Sequence, residues 1–104
     1  MNKIHFTEGF PRIERMASGH LCLELSDSIG YEHFFEYAEL IMSKISGRVK
    51  NRNNSYVTCI WDVLVRGDSY RLVYEDYPCL ISLESSSDCA DENIENILKA
   101  LVEN

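Results

Sequence analysis

The side chains able to do chemistry in this chain are four cysteines, three histidines and 17 Asp/Glu. Cys22, Cys59, Cys79 and Cys89 are separated by 37, 20 and 10 positions, so no C-x-x-C pair exists. No Cys–His pair stands at metal-ligand spacing either, and reduced, mostly buried thiols follow, with no metal and no cofactor expected. His5, His20 and His33 have no partner at useful spacing, and His33 falls on the polar side of a helical pattern. There is no G-x-S-x-G, no phosphate-binding loop and no glycine-rich dinucleotide turn. Paired carboxylates would serve glycoside hydrolysis, but such a pair needs a deep cleft, which two layers and 104 residues seldom provide. No catalytic residue is named, and the chain is expected to bind rather than to catalyse.

Charge narrows the partners. Residues 1–52 carry seven Lys/Arg and seven Asp/Glu, while residues 53–104 carry Arg66, Arg71 and Lys99 against ten acids, so the net −7 arises in the second half. Such a field repels nucleic-acid phosphates and anionic membrane surfaces, and it draws basic proteins toward it. No apolar run reaches membrane-spanning length and no signal-peptide pattern is visible, so a cytoplasmic location is expected.

The elements that must position any site are legible from periodicity. His20–Leu25 alternates as a strand with Leu21, Leu23 and Leu25 on one side. Tyr31–Ser46 has apolar residues at Tyr31, Phe34, Phe35, Ala38, Ile41, Met42 and Ile45, the period of a one-faced helix, with Asp27-Ser28 as N-cap candidates and Gly47 past its end. Arg48–Arg52 reads as a charged edge strand, and Asn53-Asn54-Ser55 as a turn. Tyr56–Val65 presents Val57, Cys59, Trp61, Val63 and Val65 inward, and Ser69–Tyr77 presents Tyr70, Leu72 and Tyr74. A Gly67-Asp68 hairpin turn between them pairs Val65 with Tyr70, Val63 with Leu72 and Trp61 with Tyr74, with Asp62 diagonal to Arg71. Cys79–Glu84 is a further strand, and a last helix follows Ser87 or Asp88 with Ile94, Ile97, Leu98, Leu101 and Val102 on its apolar side. Lys3–Thr7 offers a short strand and Phe10-Pro11-Arg12 a turn.

The order β-α-β-β-β-β-α predicts a single α+β domain over residues 1–104: a two-layer fold with a mostly antiparallel sheet of four to five strands and two helices on one face. The helices are expected over Trp61, Leu72, Tyr74 and Ile81. The other face carries Thr58, Ile60, Asp62, Leu64, Arg71, Val73, Glu75, Tyr77, Leu80, Ser82 and Glu84, an apolar centre with a charged rim. Either it is open, or residues 1–19 cover it as ordinary core. On the open reading the contact residues are Asp62, Asp68, Glu75, Asp76, Tyr77 and Glu84, with Asp68 at a hairpin tip, where it is either a turn residue, the favoured reading, or a projecting contact, and Tyr77 as the aromatic anchor.

The run Tyr74-Glu75-Asp76-Tyr77, followed by Leu80-Ile81-Ser82-Leu83-Glu84 in a small acidic chain of this element order, resembles bacterial immunity proteins of contact-dependent growth inhibition and related polymorphic toxin systems, over roughly Leu21 to Leu101. The resemblance implies a one-to-one inhibitor of a basic toxin domain, a nuclease and by preference an RNase, with acidic side chains standing where substrate phosphates would lie. A general adaptor or small chaperone is the alternative, and a small hydrolase a third. Nothing in the residues sets the oligomeric state.

Overall fold

The structure, a computed structural model, describes residues 4–55 and 57–103. In chain order the elements are β1 (Arg12–Arg15), β2 (Leu21–Ser26), α1 (Tyr31–Ile45), β3 (Arg48–Asn54), β4 (Thr58–Val65), β5 (Asp68–Asp76), β6 (Cys79–Ser85) and α2 (Asp88–Val102). The strands form one antiparallel sheet ordered β1-β2-β6-β5-β4-β3, and both helices pack on the same face of it. The α+β two-layer architecture is the expected one, with six strands in place of four to five.

The extra strand is β1. Its sequence Arg-Ile-Glu-Arg offers one apolar residue and no usable alternation, yet it pairs along β2 from Arg12↔Glu24 to Arg15↔Leu21. An edge strand needs only one ladder of hydrogen bonds, so composition says little about it. Residues 4–7 form no strand, and Lys3 and Tyr56 lie outside the described residues. Ile4 and Phe6 pack against the core cluster and, with Phe10, line a cavity beside Leu101 and Val102 of α2. Residues 4–11 therefore sit toward the helical layer, while Met16–Ser18, in the β1–β2 connection, line a cavity with Arg71 and Glu84 at one end of the opposite sheet face, which no helix covers.

Alternation places Leu23, Leu25, Cys59, Trp61, Val63, Val65, Tyr70, Leu72, Tyr74, Ile81 and Leu83 under the helices, all fully buried. α1 covers them with Phe34, Tyr37, Ala38, Ile41, Met42 and Ile45, and α2 with Ala90, Ile94, Ile97 and Leu101. Val102 is half-exposed and belongs to the outer side. Val57 is 60% exposed and precedes the strand, because β4 begins at Thr58. At the centre, the Phe34 ring stands 5.4 Å from Trp61 and 5.5 Å from Tyr74. Truncating such a ring costs about 3–5 kcal/mol.

Helix termini differ in detail from the sequence reading. Gly30, not Asp27 or Ser28, is the α1 N-cap, and it supplies no side-chain bond. Ser28 instead donates its N–H to Ser26 Oγ, closing a local turn before the helix. At the other end Ser46 takes the left-handed conformation, and Gly47 serves close packing, since a Cβ there would stand 2.7 Å from Met42 Sδ. Ser87 caps α2 by accepting the Ala90 N–H. Asn53 and Asn54 are strand residues rather than a turn.

The β4–β5 hairpin turns at Arg66-Gly67, both with positive φ, so Val65 pairs with Asp68, Val63 with Tyr70, Trp61 with Leu72 and Cys59 with Tyr74. The expected Gly67-Asp68 turn placed the register two residues away. A shift of two keeps every side chain on its face, so the hydrophobic pattern could not separate the two registers. Backbone twist decides it, because a two-residue turn with both central residues at positive φ matches the twist of the strands. Arg66 occupies this region at a cost of about 1–2 kcal/mol for an ordinary side chain. Arg66→Asn is therefore expected to stabilise the protein by up to about 1 kcal/mol and Gly67→Val to destabilise it by at least as much, read as denaturant midpoints at unchanged slope. A fall in midpoint for Arg66→Asn would place the turn elsewhere.

Candidate functional site

The six residues singled out as contacts go to three places. Asp62 and Glu84 lie on the uncovered sheet face in one row across the strands, with Arg71 between them: Asp62 is opposite Arg71, and Arg71 is opposite Glu84. Direct pairing replaces the diagonal Asp62–Arg71 arrangement, a consequence of the shifted register. Among the described residues no ion pair within 4.0 Å joins Arg71 to either acid, and Asp62 accepts a long bond from Asn51 Nδ2 at 3.5 Å. Burial pushes the Glu84 carboxyl upward and nearby Glu75 adds to this, against the pull of Arg71.

Asp68 is elsewhere. As the first residue of β5 it shares the helix-side parity of Tyr70 and Leu72, and its Oδ2 accepts from Asn93 Nδ2 of α2. It ties the hairpin to the helix instead of projecting from a tip.

Glu75, Asp76 and Tyr77 share the end of the molecule where β5 turns into β6. Asp76 pairs with Cys79, so Tyr77-Pro78 forms the turn, with a cis peptide between them. Tyr77 is 97% exposed. Beside it runs the β3–β4 connection, where Val57 O accepts the Asp76 N–H at 2.9 Å. Asp76 Oδ1 accepts the Tyr74 hydroxyl at 2.7 Å, which fixes the carboxylate at the rim of the core. The Cys79 thiol donates to Ile29 O, and after burial itself the fields of Asp76 and Asp27 raise its pKa. The segments that build this end, 27–32, 57–60 and 73–81, contain Asp27, Glu32, Glu75 and Asp76 and no Lys or Arg. The result is a bare tyrosine and a half-bare valine next to Glu75 and Asp76.

Most of the excess charge is not on the strands. α1 carries Glu32, Glu36 and Glu39 against Lys44, and α2 carries Asp88, Asp91, Glu92 and Glu95 against Lys99, a net −5 in the two helices. The β3 edge is positive, with Arg48, Lys50 and Arg52 all exposed. Arg52 lies over the Trp61 ring at 4.6 Å and meets Glu39 at 3.4 Å.

Of the four thiols, Cys22 and Cys59 are buried, Cys79 is half-buried and Cys89 is exposed. Burial raises the thiols of Cys22, Cys59 and Cys79, with Cys22 pushed up to about 11 by burial and then by Glu24, Glu84 and Glu14. Such thiols are poor nucleophiles. Among the described residues, one group places donor atoms near enough together to hold a metal ion: His20, Asp88 and Asp91. Asp91 is already engaged, accepting Leu21 N–H at 2.8 Å and facing His20 Nδ1 at 2.9 Å, and the group sits at the α2 N-terminus, whose dipole opposes a cation. Burial on its own raises the Asp91 carboxyl, but the bonds from His20, Ser85 and the Leu21 N–H outweigh it and hold the group down to about 2. An ionised Asp91 assigns the proton on His20 to Nδ1. The triad acts as a tether between the start of β2 and α2, formed across about 70 residues, which spacing along the chain could not reveal.

Residues 12–103 match the model of a family described as a protein of unknown function. No curated protein and no solved structure gives a match. No helix among the described residues is long and apolar enough to cross a membrane.

The tether carries a pH signature. A carboxyl whose folded pKa lies below its ordinary 3.8 contributes stability that is fully present above that value and is lost as pH falls toward 2. Asp91→Asn is expected to cost about 2 kcal/mol at pH 7, the scale of hydrogen bonds to a charged acceptor. The gap from the parent should close between pH 4 and pH 2 in urea titrations. A gap independent of pH would mean that the Asp91 charge is not involved.

Proposed function

The chain belongs to that family, DUF3630, and we propose that it acts by binding a basic protein through the Tyr77 end rather than by catalysis. The observation that carries this reading is the exposed Tyr77 side chain at the β5–β6 turn, directly after Glu75 and Asp76 and with the exposed Val57 beside it. A rigid aromatic supplies contact area at low entropic cost, and tyrosine is enriched among residues that dominate binding energy. Carboxylates around it accept charge-assisted bonds from Lys and Arg and speed encounter with a basic surface. Glu75, Asp76 and Tyr77 form the contact in this proposal. Asp62 and Glu84 lie apart from it, in register with Arg71, five residues before Asp76 along β5, and Asp68 is left to its bond with Asn93.

The specific partner we propose is the effector domain of a bacterial polymorphic toxin, a nuclease and by preference an RNase, bound one-to-one in the cytoplasm. A nuclease offers a basic substrate cleft, and acidic side chains of an inhibitor occupy it in place of phosphates. The −5 on the helical layer adds a long-range field without forming the contact.

Co-expression with the basic domain encoded beside the gene is expected to yield a one-to-one complex in which nuclease activity is lost. Tyr77→Ala should weaken that complex by about 30-fold while shifting folding stability by no more than about 0.5 kcal/mol, because the ring is outside the core. Glu75→Lys with Asp76→Lys should slow association and flatten its salt dependence. Absence of a complex would remove the proposal, and a complex indifferent to all three substitutions would move the contact off this end.

A further inference from the structure

We infer that the uncovered sheet face is where two copies of this chain pack, related by a two-fold axis running along the strands between β5 and β6. The face carries Ile60, Leu64, Val73 and Leu80, partly or largely covered by their neighbours, among charges of both signs, with Asp62 of β4 and Glu75 of β5 on the β3 side of the midline. The β3 side is basic, with Arg48 opposite Leu64 and Lys50 bordering a groove of about 370 Å³ shared with Asp62 and Arg71. The β6–β2–β1 side is acidic, with Glu84 and Glu24 on this face and Glu14 opposite Cys22. Arg12 is the exception there, and it is spent locally, 2.7 Å from Glu24 and 3.8 Å from Glu14.

Strand order makes the Arg71–Glu84 pair, which lies astride the midline of the sheet, self-complementary in one orientation. With six strands ordered β1-β2-β6-β5-β4-β3, the middle of the sheet falls between β6 and β5. Turning a second copy about an axis along that line lays β5 over β6, β4 over β2 and β3 over β1. Arg71, for which no ion pair within 4.0 Å is found among the described residues, then faces Glu84 of the other copy, β3 with Arg48 and Lys50 lies over β1 with Glu14 and Arg12, and β4 with Asp62 lies over β2. An axis across the strands would instead lay β3 on β3 and set like charges together. The Arg71–Glu84 contact is nearest the axis, so the rotation of about 30° between packed sheets disturbs it least. Six strands about 4.8 Å apart and roughly 25 Å long give on the order of 600 Å² per copy, about 1,200 Å² in all. That is the lower end of a stable interface, consistent with a reversible dimer.

Sedimentation equilibrium tests this on the full chain. The parent is expected to dimerise at concentrations below about 100 μM. Arg71→Glu alone and Glu84→Arg alone should each raise the dimer dissociation constant at least tenfold. In an equimolar mixture of the two variants both cross-axis contacts become opposite in charge, so the mixture should regain dimer that neither variant forms. Tyr77→Ala should leave the dimer intact, which separates this surface from the proposed partner contact. A monomeric parent at that concentration, an Arg71→Glu dimer as tight as the parent, or failure of the mixture to recover association would each overturn the inference.

Discussion

The insertion of Phe34 between Trp61 and Tyr74 is the contact on which the rest of the structure depends. It joins α1 to β4 and β5 and fixes which sheet face is dry. Once Tyr74 is inward, strand alternation turns Glu75 to the opposite face. Asp76 reaches the rim, where its carboxylate takes the Tyr74 hydroxyl, and the chain runs out of sheet at Tyr77. The exposed tyrosine and its carboxylates are therefore a consequence of where the aromatic core ends. The same parity sets Asp62, Arg71 and Glu84 in one row on the wet face.

Two helices of 15 residues cover one face of a six-stranded sheet and leave the other to solvent or to another chain. The acidity is divided accordingly. The helical layer carries most of it as a solvated outer surface, the wet sheet face carries Arg71 and Glu84 astride its midline with a basic β3 edge, and the Tyr77 end carries Glu75 and Asp76. Each arrangement has a different physical use: solubility and long-range attraction for the first, self-complementarity for the second, and a local contact for the third.

Much of this was legible in the sequence because burial enforces period. The alternation of Tyr70, Leu72 and Tyr74 and the 3.6-residue repeat of α1 and α2 placed most of the core, with Val102 turning out exposed and Tyr37 buried outside the expected repeat, and Ser87 announced its helix. What stayed hidden had weak or degenerate signals. β1 has too little apolar content to show a period, and the hairpin register was ambiguous by two because an even slip changes no face. Asp68 could be taken as a projecting tip residue only while the turn was placed one residue too late. Counting acids by halves of the chain could not show that most of the excess lies on helices, since a helix and a strand present their charges to different sides. The His20–Asp91 tether joins residues 71 positions apart, beyond any local pattern.

The central claim is that the Tyr77 end is a contact surface, and hydroxyl-radical footprinting reads it most directly. Labelling is measured by mass spectrometry on the free chain and on its complex with the basic domain encoded beside its gene. Tyr77 is expected to label rapidly in the free chain and to be protected in the complex, while buried Tyr70 and Tyr74 label slowly in both. A Tyr77 as slow as Tyr74 in the free chain, or one equally reactive with and without a bound partner, would contradict the account.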